Sequence, residues 1–222
     1  MTGCLYSGLG VRDSGLGVKC YVLRATCYVS MKMVERRDAT DWSKLRLKDR
    51  IAPGVRVLFV GINPGVRSAQ TGHHFAGPSN RFWKLLFESR LVPTALTFME
   101  DGRLPEFGFG ITNLVARPSP GIDDLKPGEY LGGWDILQAK IRQFRPAVVA
   151  LVGVTLYRAI RPLVEEAGGR LSKSRPIALG FQPESVHGAR LFVLPNPSGR
   201  NANFSYAEML EAFTALERAI TR

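Results

Sequence analysis

Two asparagines stand where an α/β protein does its chemistry. Asn63 lies in Gly61-Ile62-Asn63-Pro64-Gly65, immediately after the apolar run Val55-Arg56-Val57-Leu58-Phe59-Val60. Asn196 lies in Pro195-Asn196-Pro197-Ser198-Gly199-Arg200, immediately after Leu191-Phe192-Val193-Leu194. Apolar β-branched runs of this kind read as buried strands emptying into loops. In a parallel sheet those loops share one edge, so both can face one cleft. The first loop offers an uncharged carboxamide, a backbone turn and then an aromatic ring, Phe75. The second offers a tight turn with a long cation, Arg200, at its tip. A ring can stack on a flat heterocycle, N–H groups of a turn can read its edge, and a basic loop can hold phosphates. An isolated Asn-Pro turn more often only caps its own backbone. The second loop weighs against that reading.

The elements that position these loops follow from the pattern. Phe82, Trp83, Leu86 and Phe87 form an apolar stripe on a helix opened by Ser79-Asn80-Arg81. Residues 91–108 are a connection rich in Pro and Gly, and Phe109 to Val115 read as a second strand. Trp134, Leu137, Ile141 and Phe144 recur at helical spacing, and Ala147 to Val152 is the cleanest buried strand in the chain. Val154 to Glu166 has a helical pattern that Pro162 should kink or break. Ser205 and Glu208 make a capping box, with Phe204 and Met209 as its staple, ahead of a stripe of Met209, Phe213, Leu216 and Ile220. Strands alternating with helices predict an α/β fold, a three-layer sandwich around a mainly parallel central sheet of four to five strands.

Composition bounds the partners. The chain has 222 residues, a formal net charge of +11 and a pI near 10. That balance favours a polyanion, nucleic acid being the commonest. No apolar run approaches the roughly 20 residues of a membrane span, so no membrane partner is expected. Cys4, Cys20 and Cys27 all fall in the first thirty residues, and the histidines are only His73, His74 and His187. An odd cysteine count argues against a disulfide framework and for a reducing compartment. Neither an iron–sulfur cluster nor a zinc site has its ligands, and no metal or cofactor is expected. Residues 1–33 read as a glycine-rich tail or an over-long start, residues 34–51 as a charged lead-in, and residues 52–222 as the domain.

The stretches GINPGVRSAQTGHHFAGPSNRFWKLLF (61–87), FGITNLVARPSPG (109–121) and LPNPSGR (194–200) resemble the mismatch-specific uracil/thymine-DNA glycosylases of the uracil-DNA glycosylase superfamily. Other branches carry an acid in the first motif or a histidine in the second; here both positions are Asn. The resemblance implies a monofunctional hydrolase that removes uracil, and with it thymine or modified pyrimidines as further candidates, opposite guanine in double-stranded DNA. Asn63 would position the water that attacks the deoxyribose C1′. A carboxamide is no strong base, so its contribution is orientation, and the glycosidic bond must break largely by itself. N–H groups around Ile62 and Gly65 would stabilise the departing base, and Phe75 would stack on it. Ser68 and His74 would line the pocket, with Asn80 and Asn196 also on the substrate side. Ser198, Gly199 and Arg200 would contact DNA, Arg200 filling the gap left by the flipped nucleotide. A surface arginine touching only phosphate is the plainer alternative. His73 and His74 are read as shaping the pocket wall rather than as acids. Asp123 is an auxiliary catalytic candidate against the plainer reading, in which Asp123 and Asp124 are solvated or cap a turn.

A monomer is expected, in an intracellular setting (cytoplasmic and nucleoid-associated if bacterial). The competing functions are a glycosylase acting on uracil in single and double strands alike, and a non-catalytic mismatch-binding module. A nucleotide-binding α/β protein is disfavoured, because the first loop has neither a glycine-rich phosphate fingerprint nor a P-loop lysine.

Overall fold

The computed structural model describes residues 41–166 and 176–221. The tail expected over residues 1–33, its three cysteines and residues 34–40 lie outside the described residues. Among the described residues, five strands form one sheet: β1 (Val57–Gly61), β2 (Phe109–Asn113), β3 (Val148–Val152), β4 (Gly180–Val186) and β5 (Ala189–Leu194). Their order across the sheet is β2-β1-β3-β5-β4, parallel throughout except that β4 runs against β5. The chain steps from β1 to β2 on one side, then crosses to β3 on the other. That reversal opens a crevice at the carboxyl ends of β1 and its neighbours.

Period-two alternation divides each strand between two cores. Val57 and Phe59 face one layer with Phe109, Ile111, Val148, Ala150, Phe192 and Leu194. That layer is closed by α2 (Phe82–Glu88) and α5 (Tyr206–Thr221). Leu58 and Val60 face the other with Val149, Leu151, Leu191 and Val193. There α3 (Pro127–Phe144) and α4 (Val154–Glu166) supply Trp134, Leu137, Ile141, Leu156, Tyr157 and Ile160. The three-layer sandwich expected from the sequence is the architecture found, with five strands. A short helix, α1 (Val66–Thr71), leaves the first loop. Among the described residues, no helix is long and apolar enough to cross a membrane.

Two local expectations need correction, and one strand is an addition. The helix α4 continues through Pro162 to Glu166. Pro162 and Arg158 are both exposed, so water can reach the carbonyl that the missing N–H would have bonded. Phe87 is 42% exposed, on the outer side of α2, and does not belong to the buried stripe. The strand β4 was not foreseen: it is an edge strand, half exposed, with Pro183 inside it and a register shift between Phe181 and Ser185. The capping box at α5 forms as read, with the Glu208 carboxylate accepting from Ser205 N and the Ser205 hydroxyl accepting from Glu208 N.

The lead-in segment straps the outer edge of β2. Arg50 exchanges backbone hydrogen bonds with Ile111, at 3.0 and 2.9 Å, in an antiparallel bridge. Asp49 accepts a hydrogen bond from the buried Thr112 hydroxyl (2.6 Å) and pairs with Lys140 of α3 (2.6 Å). Residues 48–50 are thereby fixed against the sheet beside the first loop.

Candidate active site

The loop after β1 and the loop after β2 are zipped together. Leu114 N donates to Gly61 O, Val115 N to Ile62 O and Ser119 N to Pro64 O. Asn63 sits in this seam, half-buried. Its Nδ2 is held by three acceptors: Ser119 Oγ at 2.8 Å, Pro64 O at 3.1 Å and Arg117 O at 3.4 Å. Ser119 is buried, and its own proton goes to Gly121 O, so its oxygen is free to accept from Asn63. With Nδ2 so tied, Oδ1 must be the outward group, and no described residue donates to it. The seam therefore presents one fixed, uncharged acceptor. A water donating to that oxygen would be held in one orientation. The N–H groups of Ile62 and Gly65 donate to no other described residue, which leaves them available to an anion.

The β2 loop is braced from outside. Arg117 makes a forked pair with Glu129 near the start of α3 (2.7 and 2.8 Å) and donates to Asp124 O. That fork holds the Glu129 carboxyl down to about 2. Asp124 caps the turn by accepting from Gly121 N at 3.0 Å. Asp123 is exposed on the same turn, one step beyond the Ser119–Gly121 contact that orients Asn63.

Sequence reading missed Asn113, the last residue of β2. It lies directly across from Gly61 in the parallel register. A Cβ placed on Gly61 would lie 2.7 Å from Asn113 Oδ1 and 3.6 Å from the tip of the Phe75 ring, so only glycine admits this arrangement. The signal was a polar residue closing an apolar strand at the edge that carries Asn63. Ser119 was likewise missed, because its role appears only once the two loops are paired.

Phe75 is held in a strained backbone, φ 52°. Its neighbours over-determine that conformation. Trp83 Nε1 donates to His74 O (3.1 Å), and Ala76 N donates to the buried Ser68 hydroxyl (3.1 Å). One face of the Phe75 ring stacks on Phe82, centroids 4.2 Å apart; the opposite face is the one left for a ligand ring. Ser68 thus serves the loop with its hydroxyl. His74 is 1% exposed, and both ring nitrogens face protein: Nε2 is 3.1 Å from Lys48 O and Nδ1 is 3.5 Å from Asn113 Nδ2. Burial pushes its pKa below the ordinary histidine value, so the ring is neutral. Beneath the loop, Asp101 is 1% exposed and accepts from Arg50 Nε, His73 Nδ1 and His74 N, each at 3.0 Å.

The loop after β5 stands at the same edge of the sheet. Asn196 Oδ1 accepts from Ser198 N (3.0 Å), Ser198 Oγ accepts from Arg200 N (3.3 Å), and Asn201 closes the turn on Asn196 O and Ser198 O. The Asn196 amide oxygen is thus spent on its own loop. Arg81 N donates to Pro197 O at 2.9 Å, which ties this loop to the start of α2. Asn80 closes the turn into that helix, its Oδ1 accepting from Phe82 N (2.9 Å). Gly199 packs so closely that an added Cβ would meet Ser79 Cβ at 2.5 Å. Arg200 is exposed at the tip, with no described residue bonded to its guanidinium.

Comparison with known proteins agrees with this architecture. The family model of the uracil DNA glycosylase superfamily matches residues 49–217. A Schizosaccharomyces pombe protein named G/U mismatch-specific uracil DNA glycosylase is 36% identical over 181 residues, which is 80% of this chain and 54% of that protein. The chain thus spans about half the length of that relative. A candidate uracil DNA glycosylase from Methanosarcina acetivorans, solved by NMR, shares the fold at a TM-score of 0.52 and 14% identity. The match covers 81% of this chain and 99% of that one.

Proposed function

The chain belongs to the uracil DNA glycosylase superfamily, and from that premise we propose that it is a monofunctional hydrolase cutting the N-glycosidic bond of uracil flipped from a G·U mismatch. The observation that carries this reading is the fixed Asn63 carboxamide, with Nδ2 anchored on Ser119 and Oδ1 presented outward. The S. pombe relative, named for G/U mismatches, supports the substrate.

In this mechanism the flipped base stacks on the open face of Phe75 and its Watson–Crick edge meets the Asn113 carboxamide. The N1–C1′ bond breaks with little nucleophilic push, giving an oxocarbenium-like sugar and a uracil anion. N–H groups of Ile62 and Gly65 stabilise the anion. Water held by Asn63 Oδ1 then adds to C1′ and releases its proton to solvent. Asp123 on the adjoining turn supplies negative charge toward the sugar cation. Replacing Asp123 by alanine should slow single-turnover excision by about tenfold; a full-rate variant would leave Asp123 as a solvated turn residue.

Arg200, with its loop pinned to α2 through Pro197, occupies the gap in the duplex. Extrusion costs a few kcal/mol of unstacking, which a side chain inserted in the gap offsets. Arg200→Ala should weaken binding to a G·U duplex about tenfold more than binding to a matched duplex, as read by fluorescence anisotropy at fixed salt. Equal losses on both would reduce Arg200 to a phosphate contact.

The test of the whole reading is single-turnover base release from one labelled set: G·U, A·U, G·T and single-stranded U. Release from G·U well ahead of A·U is the expected result. Equal release from every uracil substrate would move the enzyme to broad specificity. Tight mismatch binding without release would make it a recognition module.

A further inference from the structure

Asn113 closes β2 at the pocket, and a carboxamide there can read a pyrimidine in either of two ways. With Oδ1 and Nδ2 in one order, it accepts from N3–H and donates to O4, the pattern of uracil and thymine. Turned by half a revolution, it donates to N3 and accepts from the N4 amine, the pattern of cytosine. The amide alone therefore has no preference. Whatever fixes its rotation decides the base.

The structure holds that rotation from one side. Lys48 O is only an acceptor, so the His74 Nε2 beside it carries the ring proton, and Nδ1 presents a lone pair. That lone pair faces Asn113 Nδ2 at 3.5 Å. The opposite rotation would set Asn113 Oδ1 against it, acceptor against acceptor, inside a buried site. We infer that His74 is a positioning residue that locks the Asn113 carboxamide in the uracil-reading orientation and thereby excludes cytosine. This rests on the excision reaction proposed above.

Three further features support it. The Asn113 Oδ1 lies over Gly61, at a spot where any side chain on residue 61 would collide with it. Lys48 cannot drift away, because the flanking Asp49 and Arg50 are bound to Thr112, Lys140 and Ile111. Burial keeps the His74 ring neutral, so Nδ1 stays an acceptor. His74 reaches the substrate only through Asn113, and in that sense it is no catalytic residue.

The test uses two variants that divide the ring's functions. In His74→Asn the amide oxygen can take the place of Nδ1 and keep an acceptor toward Asn113. In His74→Gln the longer amide can take the place of Nε2, keeping the bond to Lys48 O and losing the acceptor. Each full-length protein is assayed in single turnover on 5-fluorouracil and 5-fluorocytosine opposite guanine, since fluorine makes both rings competent leaving groups. The readout is the ratio of the two rates on one preparation, from which the folded fraction cancels. The wild type should favour the uracil analogue strongly. His74→Gln should shrink that ratio by about 10- to 100-fold, while His74→Asn holds it within a few-fold. Ratios unchanged in both variants, even with both rates lowered, would overturn the inference and leave His74 a wall of the pocket. An equal collapse in both would also overturn it, because the acceptor would then not be the operative group. A wild type that releases neither base from any duplex would instead sink the glycosylase reading itself.

Discussion

Replacing Asn63 by alanine should lower uracil release from a G·U duplex by at least roughly 10²- to 10³-fold while affinity for that duplex stays within a few-fold. The loss is this large because Oδ1 is the acceptor the seam presents, and without it the water at C1′ has no fixed direction. Binding should persist because the DNA contacts proposed above lie on the loop after β5 and its Arg200. Ser119→Ala should give a graded version of the same defect. It keeps the amide but removes the oxygen that accepts from Nδ2 at 2.8 Å, so the amide can turn. Single-turnover kinetics beside a binding isotherm read both quantities. Normal turnover in Asn63→Ala would overturn the role proposed for Asn63.

The second large effect falls on stability. Asp101→Ala should cost about 3 kcal/mol and lower the midpoint of thermal unfolding by roughly 6–12 °C. Its carboxylate accepts from three donors on two separate segments, with Arg50 Nε and His73 Nδ1 on one oxygen and His74 N on the other. Arg50 is partly exposed and can regain water. The His74 N–H is buried and cannot, so most of the penalty sits there. The same deletion removes one of the ties between the strap at residues 48–50 and the first loop, leaving the contacts of Lys48 O with His74 and of Arg50 with Gly72 O. A melting curve that matches the wild type would show that these donors find other acceptors.

Which parts of the molecule could be read from residues alone follows from where the information lies. The strands β1, β3 and β5 are covered on both faces, so their sequences are continuous apolar runs bounded by turn residues. The strand β4 is an edge with mixed exposure and a proline, and nothing local marks it. Pro162 was misjudged because its cost depends on which side of the helix meets water, a tertiary matter. At the site, Asn63, Asn196 and Arg200 stood out as polar residues in loops after apolar runs. Asn113, Ser119 and Asp101 did not, because each acts on a residue tens of positions away through the pairing of strands. His74 was singled out from the sequence only as a residue of the first loop. Its two partners, Lys48 O and Asn113, could be assigned only from three dimensions.

The two carboxamides are braced in opposite directions across the β1–β2 pair. Asn63, on the loop after β1, is oriented by Ser119 from the loop after β2. Asn113, at the end of β2, is oriented by His74 from the loop after β1. On the proposed function, each segment therefore carries one working amide and the other segment's brace. Grafting either segment by itself from a relative with other residues at these positions would install an amide without its partner and strip the resident amide of its own. Exchanged together, the two would travel as a single heritable cassette. In laboratory recombination, activity should survive crossovers that fall outside residues 61–121 far better than crossovers between the two loops.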